Sequence, residues 1–202
     1  MYPHTTKYPL LFQIFFTLNH MPKIYLVRHG ESTKNFPIQI ESCTMKSASK
    51  YPLTEKGEND AKKEAEKFQN FFDVIITSPF LRAKQTAQQF LKTSPNSNFR
   101  EDINLKDLDV GIFDDKLLVD SDYYRNNELK NKPEEKFGGG ENLFDVETRM
   151  RKVFDDAQKK YPNKNILLVS HGSPCEVLSD SVTGKKLTYW DSCFPHTKAI
   201  LL

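Results

Sequence analysis

Cysteine is scarce in this chain of 202 residues. Cys43, Cys175 and Cys193 form no Cys-x-x-Cys pair and show no Cys/His spacing suited to zinc. That excludes a disulfide framework or a structural zinc module as the source of stability. Net charge is nearly absent as well. Twenty-nine basic residues stand against 27 acidic ones, a balance of +2. No global field therefore draws the chain to nucleic acid, and any preference for anions has to come from a local cluster. No Asn-x-Ser/Thr sequon occurs. With so few cysteines, this fits a reducing, cytoplasmic setting. The apolar stretch at residues 8–18 (YPLLFQIFFTL) is interrupted by Pro9 and Gln13. It falls short of the roughly 20 residues a bilayer span needs, so no integral membrane segment is expected. Lys7 alone precedes it as a basic n-region and no A-x-A-like cleavage site follows, which makes a poor signal peptide. Met21 then opens MPKIYLVRHG as a natural start would. Residues 1–20 are expected to be a dispensable, weakly packed extension, and residues 21–202 a single domain.

What is present is a globular composition, 38% hydrophobic and 28% charged, enough for one real core. Short apolar runs at residues 24–27, 74–77 and 165–169 each break sharply into polar residues, as buried strands do. Between them lie amphipathic stretches. Thr54 is placed to cap a helix over residues 55–72, with Ala61, Ala65, Phe68 and Phe72 on one face. Further helices are predicted over 81–92, 142–160 and 174–182, and a polar one over 120–132. Residues 36–51 read as a surface loop and 94–98 as a turn. Ile103, Leu105 and Leu108 read as an extended segment leading to Gly111. Residues 136–140 (KFGGG) read as a flexible loop and 199–202 as an edge strand. No internal repeat is visible. Strands alternating with helices predict an α/β fold, a three-layer αβα sandwich around a mostly parallel sheet.

In such sheets ligands sit beyond the carboxyl ends of the strands. The first predicted strand ends in Arg28-His29. The second leads through Ser78-Pro79 to Arg82, and the third ends in Ser170-His171. If these strands are neighbours, two histidines and two arginines meet at one mouth. Paired guanidiniums repel unless an anion joins them, and their forks match phosphate oxygens. A neighbouring cation disfavours the protonated imidazole, so His29 is expected to be neutral and nucleophilic near neutral pH. Its attack on phosphorus gives a phosphohistidine that water later cleaves, with His171 helping to neutralise the transferring group. An acid has to protonate the leaving alkoxide, and Asp107, Asp109 and Glu101 are the candidates. Each piece alone is weak. DLDVG has no EF-hand spacing, and Gly138-Gly139-Gly140 is not followed by Gly-Lys-Ser/Thr as a P-loop would be. Neither metal nor cofactor is called for. The inference rests on the ordered recurrence of strand-end polar groups.

Six ordered segments carry a family resemblance. Arg28-His29-Gly30-Glu31-Ser32 with Asn35 resembles the signature of the histidine phosphatase superfamily, also called phosphoglycerate-mutase-like. Residues 52–57 (PLTEKG), 78–83 (SPFLRA) with Gln85-Thr86-Ala87, Leu105-Lys106-Asp107 with Gly111, 139–142 (GGEN) and 169–172 (VSHG) resemble its later motifs in order. The likeness runs from about Lys23 to Leu202. It implies a phosphoglycerate-mutase-like fold, His29 as the phosphorylated residue, and Arg28, Arg82 and His171 as phosphoryl ligands, with a hydrogen bond from Asn35. It places Asp107 where many members carry Glu as proton donor. Asp is one methylene shorter, which leaves Asp109 or a neighbour as a substitute.

Mutases of this family usually carry a long insertion between the acid segment and the second histidine, an Arg-Arg pair, and a Tyr near the acid. Here the interval from Asp107 to His171 is short, no Arg-Arg dipeptide occurs, and Val110 stands where that Tyr would be. Hydrolysis of phosphate monoesters is therefore expected. A mutase-type phosphotransferase and a weakly catalytic phosphate-binding scaffold stand as alternatives. The expected partner is a small phosphorylated metabolite or a phosphoprotein, with no nucleic acid; oligomeric state is left open. Lys46, Lys50, Lys116, Tyr123, Tyr124 and Arg125 fall in segments that should form the pocket rim, and solvated surface is the favoured reading for them. Cys175 is expected to be a buried inert thiol rather than a redox sensor.

Overall fold

The computed structural model describes residues 21–35, 44–117, 119, 129, 131–189 and 194–202. Residues 1–20, Cys43, Cys193, Tyr123, Tyr124 and Arg125 lie outside the described residues. So do the first half of the loop expected at 36–51 and nearly all of the helix expected over 120–132.

Five strands, β1 (Lys23–Arg28), β2 (Val74–Thr77), β3 (Asn98–Glu101), β4 (Asn165–Ser170) and β5 (Ile200–Leu201), form one sheet in the order β3-β2-β4-β1-β5. All neighbours are parallel except the antiparallel edge pair β1–β5. The middles of the central strands β1, β2 and β4 are apolar because both faces are covered. Ile24, Leu26, Ile76, Ile166 and Leu168 pack against Val146, Met150 and Val153 of α3 (Leu143–Lys160) and Val177 and Leu178 of α4 (Gly172–Thr183). The alternate residues Val27, Ile75, Leu167 and Val169 pack against Ala65 of α1 (Glu55–Ala65) and Ala83, Ala87 and Phe90 of α2 (Leu81–Thr93). This is the αβα sandwich, and the period of two along each strand produces it. The register pairs Arg28 with Ser170 and Thr77 with Val169. The residues that follow, His29, Ser78 and His171, are thereby delivered to one end of the sheet.

Helix boundaries follow local chemistry. Thr54 Oγ1 accepts from Gly57 N at 3.1 Å and caps α1. Asn142 and Asp145 form a reciprocal capping box at the start of α3. Helix α4 begins at Gly172, two residues before its expected start, since Pro174 is tolerated in a first turn whose N–H groups have no intrahelical partner.

Four readings need correction. Helix α1 ends at Ala65, not Phe72. Phe68, Phe71 and Phe72 continue the apolar pattern, but the backbone has left the helix, and their rings gather around Tyr25 at 5.5–5.6 Å. Strand β3 starts at Asn98, where a turn was expected. Its residues NFRE are largely exposed at the sheet edge, so no apolar run marks it. Ile103–Leu105 is a 3-10 turn rather than an extended segment, capped by Asp102 onto Asn104 N. Residues 136–140 are not a loose loop. Phe137 is fully buried, its N–H donates to Glu141 O, and it accepts from Gly140 N at 2.7 Å. Gly111 and Gly138, both at positive φ, meet there so closely that a Cβ on Gly111 would sit 2.0 Å from Gly138 O. Among the described residues no helix is long and apolar enough to cross a membrane.

Candidate active site

The strand ends place His29, Arg82 and His171 in one buried cluster, and Asp107 joins them from the segment after β3. Arg82 occupies the first turn of α2 and is fully buried. A cation at the positive pole of a helix is locally unfavourable. Its guanidinium is held by acceptors instead. Nε donates to His29 Nε2 at 3.2 Å and Nη2 to Asp107 Oδ2 at 3.0 Å. His29 Nδ1 lies 2.7 Å from Gly30 O. A carbonyl can only accept, so Nδ1 carries the proton and the lone pair is on Nε2, facing Arg82. Gly30 is required for this turn, because a Cβ there would lie 2.5 Å from Gly57 O.

His29 is 2% exposed and its pKa is held well below the ordinary 6.5. Burial is the largest cause, followed by Arg82, His171 and Arg28. The sequence points to a neutral imidazole through neighbouring cations alone; in the structure burial is the largest single cause and the cations add to it. His171 is lowered too, by burial and Arg82, with Asp107 opposing. Its Nε2 is 2.8 Å from Ser78 Oγ, and its ring centroid is 5.1 Å from that of His29. Arg28 ends β1, donates from Nη1 to Phe194 O at 3.0 Å, and lies against the start of α4, where a Cβ on Gly172 would sit 3.2 Å from its Cζ. Asn35 is placed one turn on, its amide oxygen accepting from Ser32 Oγ at 2.9 Å. That bond ties it to its own turn.

The structure separates the three candidate acids. Glu101 is 3.4 Å from Lys84 at the surface. Asp109 Oδ1 accepts from Gly111 N at 2.9 Å and so organises the next turn. Asp107 reaches the cluster despite its short side chain. Arg149 of α3 makes this possible. All of its N–H donors are engaged: Nη1 to Asn104 O and Lys106 O, Nη2 to Asp107 O and Glu141 Oε2, Nε to Glu141 Oε1. The backbone carrying Asp107 is thereby clamped. Arg149→Met leaves Glu141 with only the half-buried Lys106, at 3.3 Å, as counter-charge among the described residues, and strips the donors from three backbone carbonyls. It is expected to cost about 3 kcal/mol, lowering Tm by roughly 10 °C in calorimetry.

Three site neighbours were given no site role by the sequence. Lys34 is 9% exposed and its Nζ lies 3.1 Å from Asp107 Oδ2. Ser78 falls in the 78–83 motif, but the sequence assigns it no role of its own; here its Oγ meets His171 Nε2. His196 donates from Nδ1 to His29 O at 2.6 Å, its ring 5.5 Å from that of His29; burial and Arg28 lower its pKa to about 4. Asp107 is raised by burial, but Lys34, His171 and Arg82 more than reverse this and hold it far below the carboxylate range. Of the rim residues described, Lys50 pairs with Asp115, to which Tyr51 OH also donates. Cys175 is fully buried and its thiol pKa is raised by that burial. It is not the exposed thiolate a redox sensor needs.

The buried neutral histidines make stability depend on pH. Unfolded, His29 and His171 take up protons below about 6.5; folded, they do not, because their pKa values are depressed. Stability is therefore present above 6.5 and falls as pH drops, by about 1 kcal/mol per unit for each histidine. Chemical denaturation at pH 7 and pH 5.5 checks this.

A model of the histidine phosphatase superfamily (branch 1) matches residues 24–201. The chain belongs to the histidine phosphatase superfamily. A probable phosphoglycerate mutase GpmB from Cronobacter sakazakii is 30% identical over 169 residues, 81% of this chain and 76% of that protein. An uncharacterized phosphatase PhoE from Bacillus subtilis is 28% identical over 166 residues, 81% of this chain and 79% of the relative. In three dimensions the chain resembles the Entamoeba histolytica phosphoserine phosphatase solved with 3-phosphoglyceric acid. That match has a TM-score of 0.72 at 22% identity and covers 90% of this chain and 95% of the other. This last likeness speaks to the fold, and it is the phosphoglycerate-mutase-like one.

Proposed function

We propose that this histidine phosphatase hydrolyses phosphate monoesters without a metal, using His29 as nucleophile and Asp107 as proton donor. The observation that carries the reading is the pairing of Arg82 Nε with the bare Nε2 of a buried, neutral His29. An attacking lone pair and a guanidinium that can grip the phosphoryl oxygens then share one spot. Nε2 attacks phosphorus, the P–O bond to the leaving group breaks, and Asp107 delivers its proton to the departing oxygen. Water then attacks phosphorus, the P–N bond breaks, the proton of that water returns to Asp107, and inorganic phosphate leaves. Arg28, Arg82 and His171 hold the phosphoryl group throughout, and Asn35 adds a hydrogen bond to it. The phosphohistidine route is general for this family.

The mutase name of the Cronobacter relative favours a second reading, phosphoryl transfer back to the substrate. One assay separates the two. Purified protein in excess EDTA is expected to release inorganic phosphate steadily from p-nitrophenyl phosphate. Isomerised product that depends on a bisphosphoglycerate marks the mutase. Absence of both turnover and a phosphoenzyme marks a binding scaffold.

The substrate we favour is a small phosphorylated metabolite, supported by the phosphoserine phosphatase likeness, and the setting cytoplasmic, supported by the cysteine usage. Residues 21–202 act as one domain and residues 1–20 as a dispensable extension, a reading the family match from residue 24 supports. Deleting residues 1–20 is expected to leave Tm and turnover unchanged; loss of either contradicts it.

A further inference from the structure

Lys34 has no place in the steps above, although it lies in the turn directly after the nucleophile and is buried against the acid. Its Nζ is 3.1 Å from Asp107 Oδ2. Arg82 Nη2 reaches the same oxygen at 3.0 Å, and His171 Nδ1, fully buried, lies 3.6 Å from it. The other carboxylate oxygen is already engaged by Leu108 N at 2.9 Å. Three nitrogens from three elements thus converge on one oxygen atom, the turn after β1, the first turn of α2 and the loop before α4 each supplying one. A carboxylate oxygen offers two lone pairs, whereas a phosphoryl group presents three acceptor oxygens. The same Arg82 guanidinium also touches His29 Nε2, so the convergence point lies beside the attacking atom.

We propose that Lys34 is a further phosphoryl-binding residue, paired with Asp107 in the free protein and transferred to a phosphoryl oxygen when the substrate binds. The exchange has two consequences. It gives the transferring group a third cationic partner beside Arg28 and Arg82. It also releases Asp107 from its ammonium partner at the moment the carboxyl must hold a proton. Lys34 thereby couples binding of the phosphoryl group to arming of the acid. The inference rests on the phosphatase reading for its chemistry, but its test reads binding alone.

The alternative is that Lys34 acts only through Asp107, as a fixed counter-ion. A double-mutant cycle separates the two. Inorganic phosphate is titrated calorimetrically into the unsubstituted protein, Lys34→Met, Asp107→Asn, and Asp107→Asn/Lys34→Met. The double variant removes both members of the Lys34–Asp107 pair, and Arg82 loses the same carboxylate in both Asp107→Asn proteins, so the difference between those two reads Lys34 alone. A direct charge-assisted contact predicts that Lys34→Met weakens phosphate binding about tenfold or more in the Asp107→Asn background as well as alone. A loss below about threefold in the Asp107→Asn background overturns the proposal, since a contact acting only through the carboxylate vanishes with it. Turnover of p-nitrophenyl phosphate by the unsubstituted protein is scored separately. The role of Lys34 can thus fail while the phosphatase reading stands.

Discussion

His29→Ala is expected to lower kcat for p-nitrophenyl phosphate by roughly a hundred-thousandfold, in line with removal of a covalent nucleophile elsewhere. Among the described residues no other side chain is placed to replace it. His171 lies beside it, but its Nε2 is engaged with Ser78 Oγ and its Nδ1 faces Asp107. The proposed phosphoryl ligands should survive the substitution: Arg82 loses the acceptor on its Nε but keeps Asp107 on Nη2, Arg28 keeps Phe194 O, and Lys34 keeps Asp107. KM should therefore change far less than kcat, and phosphate should still bind. The fold should survive as well: Gly30 O loses one buried donor, a cost of about 1–3 kcal/mol. Steady-state kinetics alongside a thermal melt checks both halves.

Asp107→Asn should be equally informative through its dependence on the leaving group. Asparagine keeps the shape and the acceptor for Leu108 N but has no proton to give. Alkyl phosphates leave as strongly basic alkoxides and need that proton; p-nitrophenolate does not. The loss in kcat is expected to be about 100- to 10,000-fold for an alkyl ester and less than about tenfold for the nitrophenyl ester. Equal loss on both counts against Asp107 as donor. A pH dependence follows from the same geometry. In the free protein Asp107 is a carboxylate, held down by Lys34, His171 and Arg82 against the opposing effect of burial. An incoming phosphoryl dianion draws those cations to itself and adds a like charge, and both raise the pKa of Asp107. Protonation is favoured as pH falls, while His29, depressed by burial, stays unprotonated. For an alkyl ester, kcat/KM should therefore be higher at pH 5.5 than at pH 8, and Asp107→Asn should flatten that slope.

The sheet and the outline of this site were legible because the chemistry sits where the hydrophobic pattern breaks. Val74–Thr77 and Ile166–Val169 are buried on both faces, and Ile24–Val27 is buried but for the half-buried Tyr25, so each strand reads as a short, nearly continuous apolar run. Arg28-His29, Ser78 through Arg82, and Ser170-His171 mark the ends of those runs. Where pattern and backbone part company, the sequence misleads. Phe68, Phe71 and Phe72 keep a helical spacing of apolar residues after the helix has ended, because their burial is against Tyr25 and not along one helical face. Strand β3 is defined by its pairing to β2 rather than by buried side chains of its own. Lys34 looks like any solvated lysine in a polar turn; only the return of the chain at Asp107 buries it. The clamp from Arg149 to three backbone carbonyls is likewise a product of tertiary packing.

The most direct test is to catch the intermediate. Rapid mixing with a phosphate monoester, a quench that preserves phosphoramidates, and peptide mass spectrometry should find one acid-labile phosphoryl group on His29. It should form and decay at rates compatible with turnover. A phosphoryl group on another residue, or none during active turnover, contradicts the account.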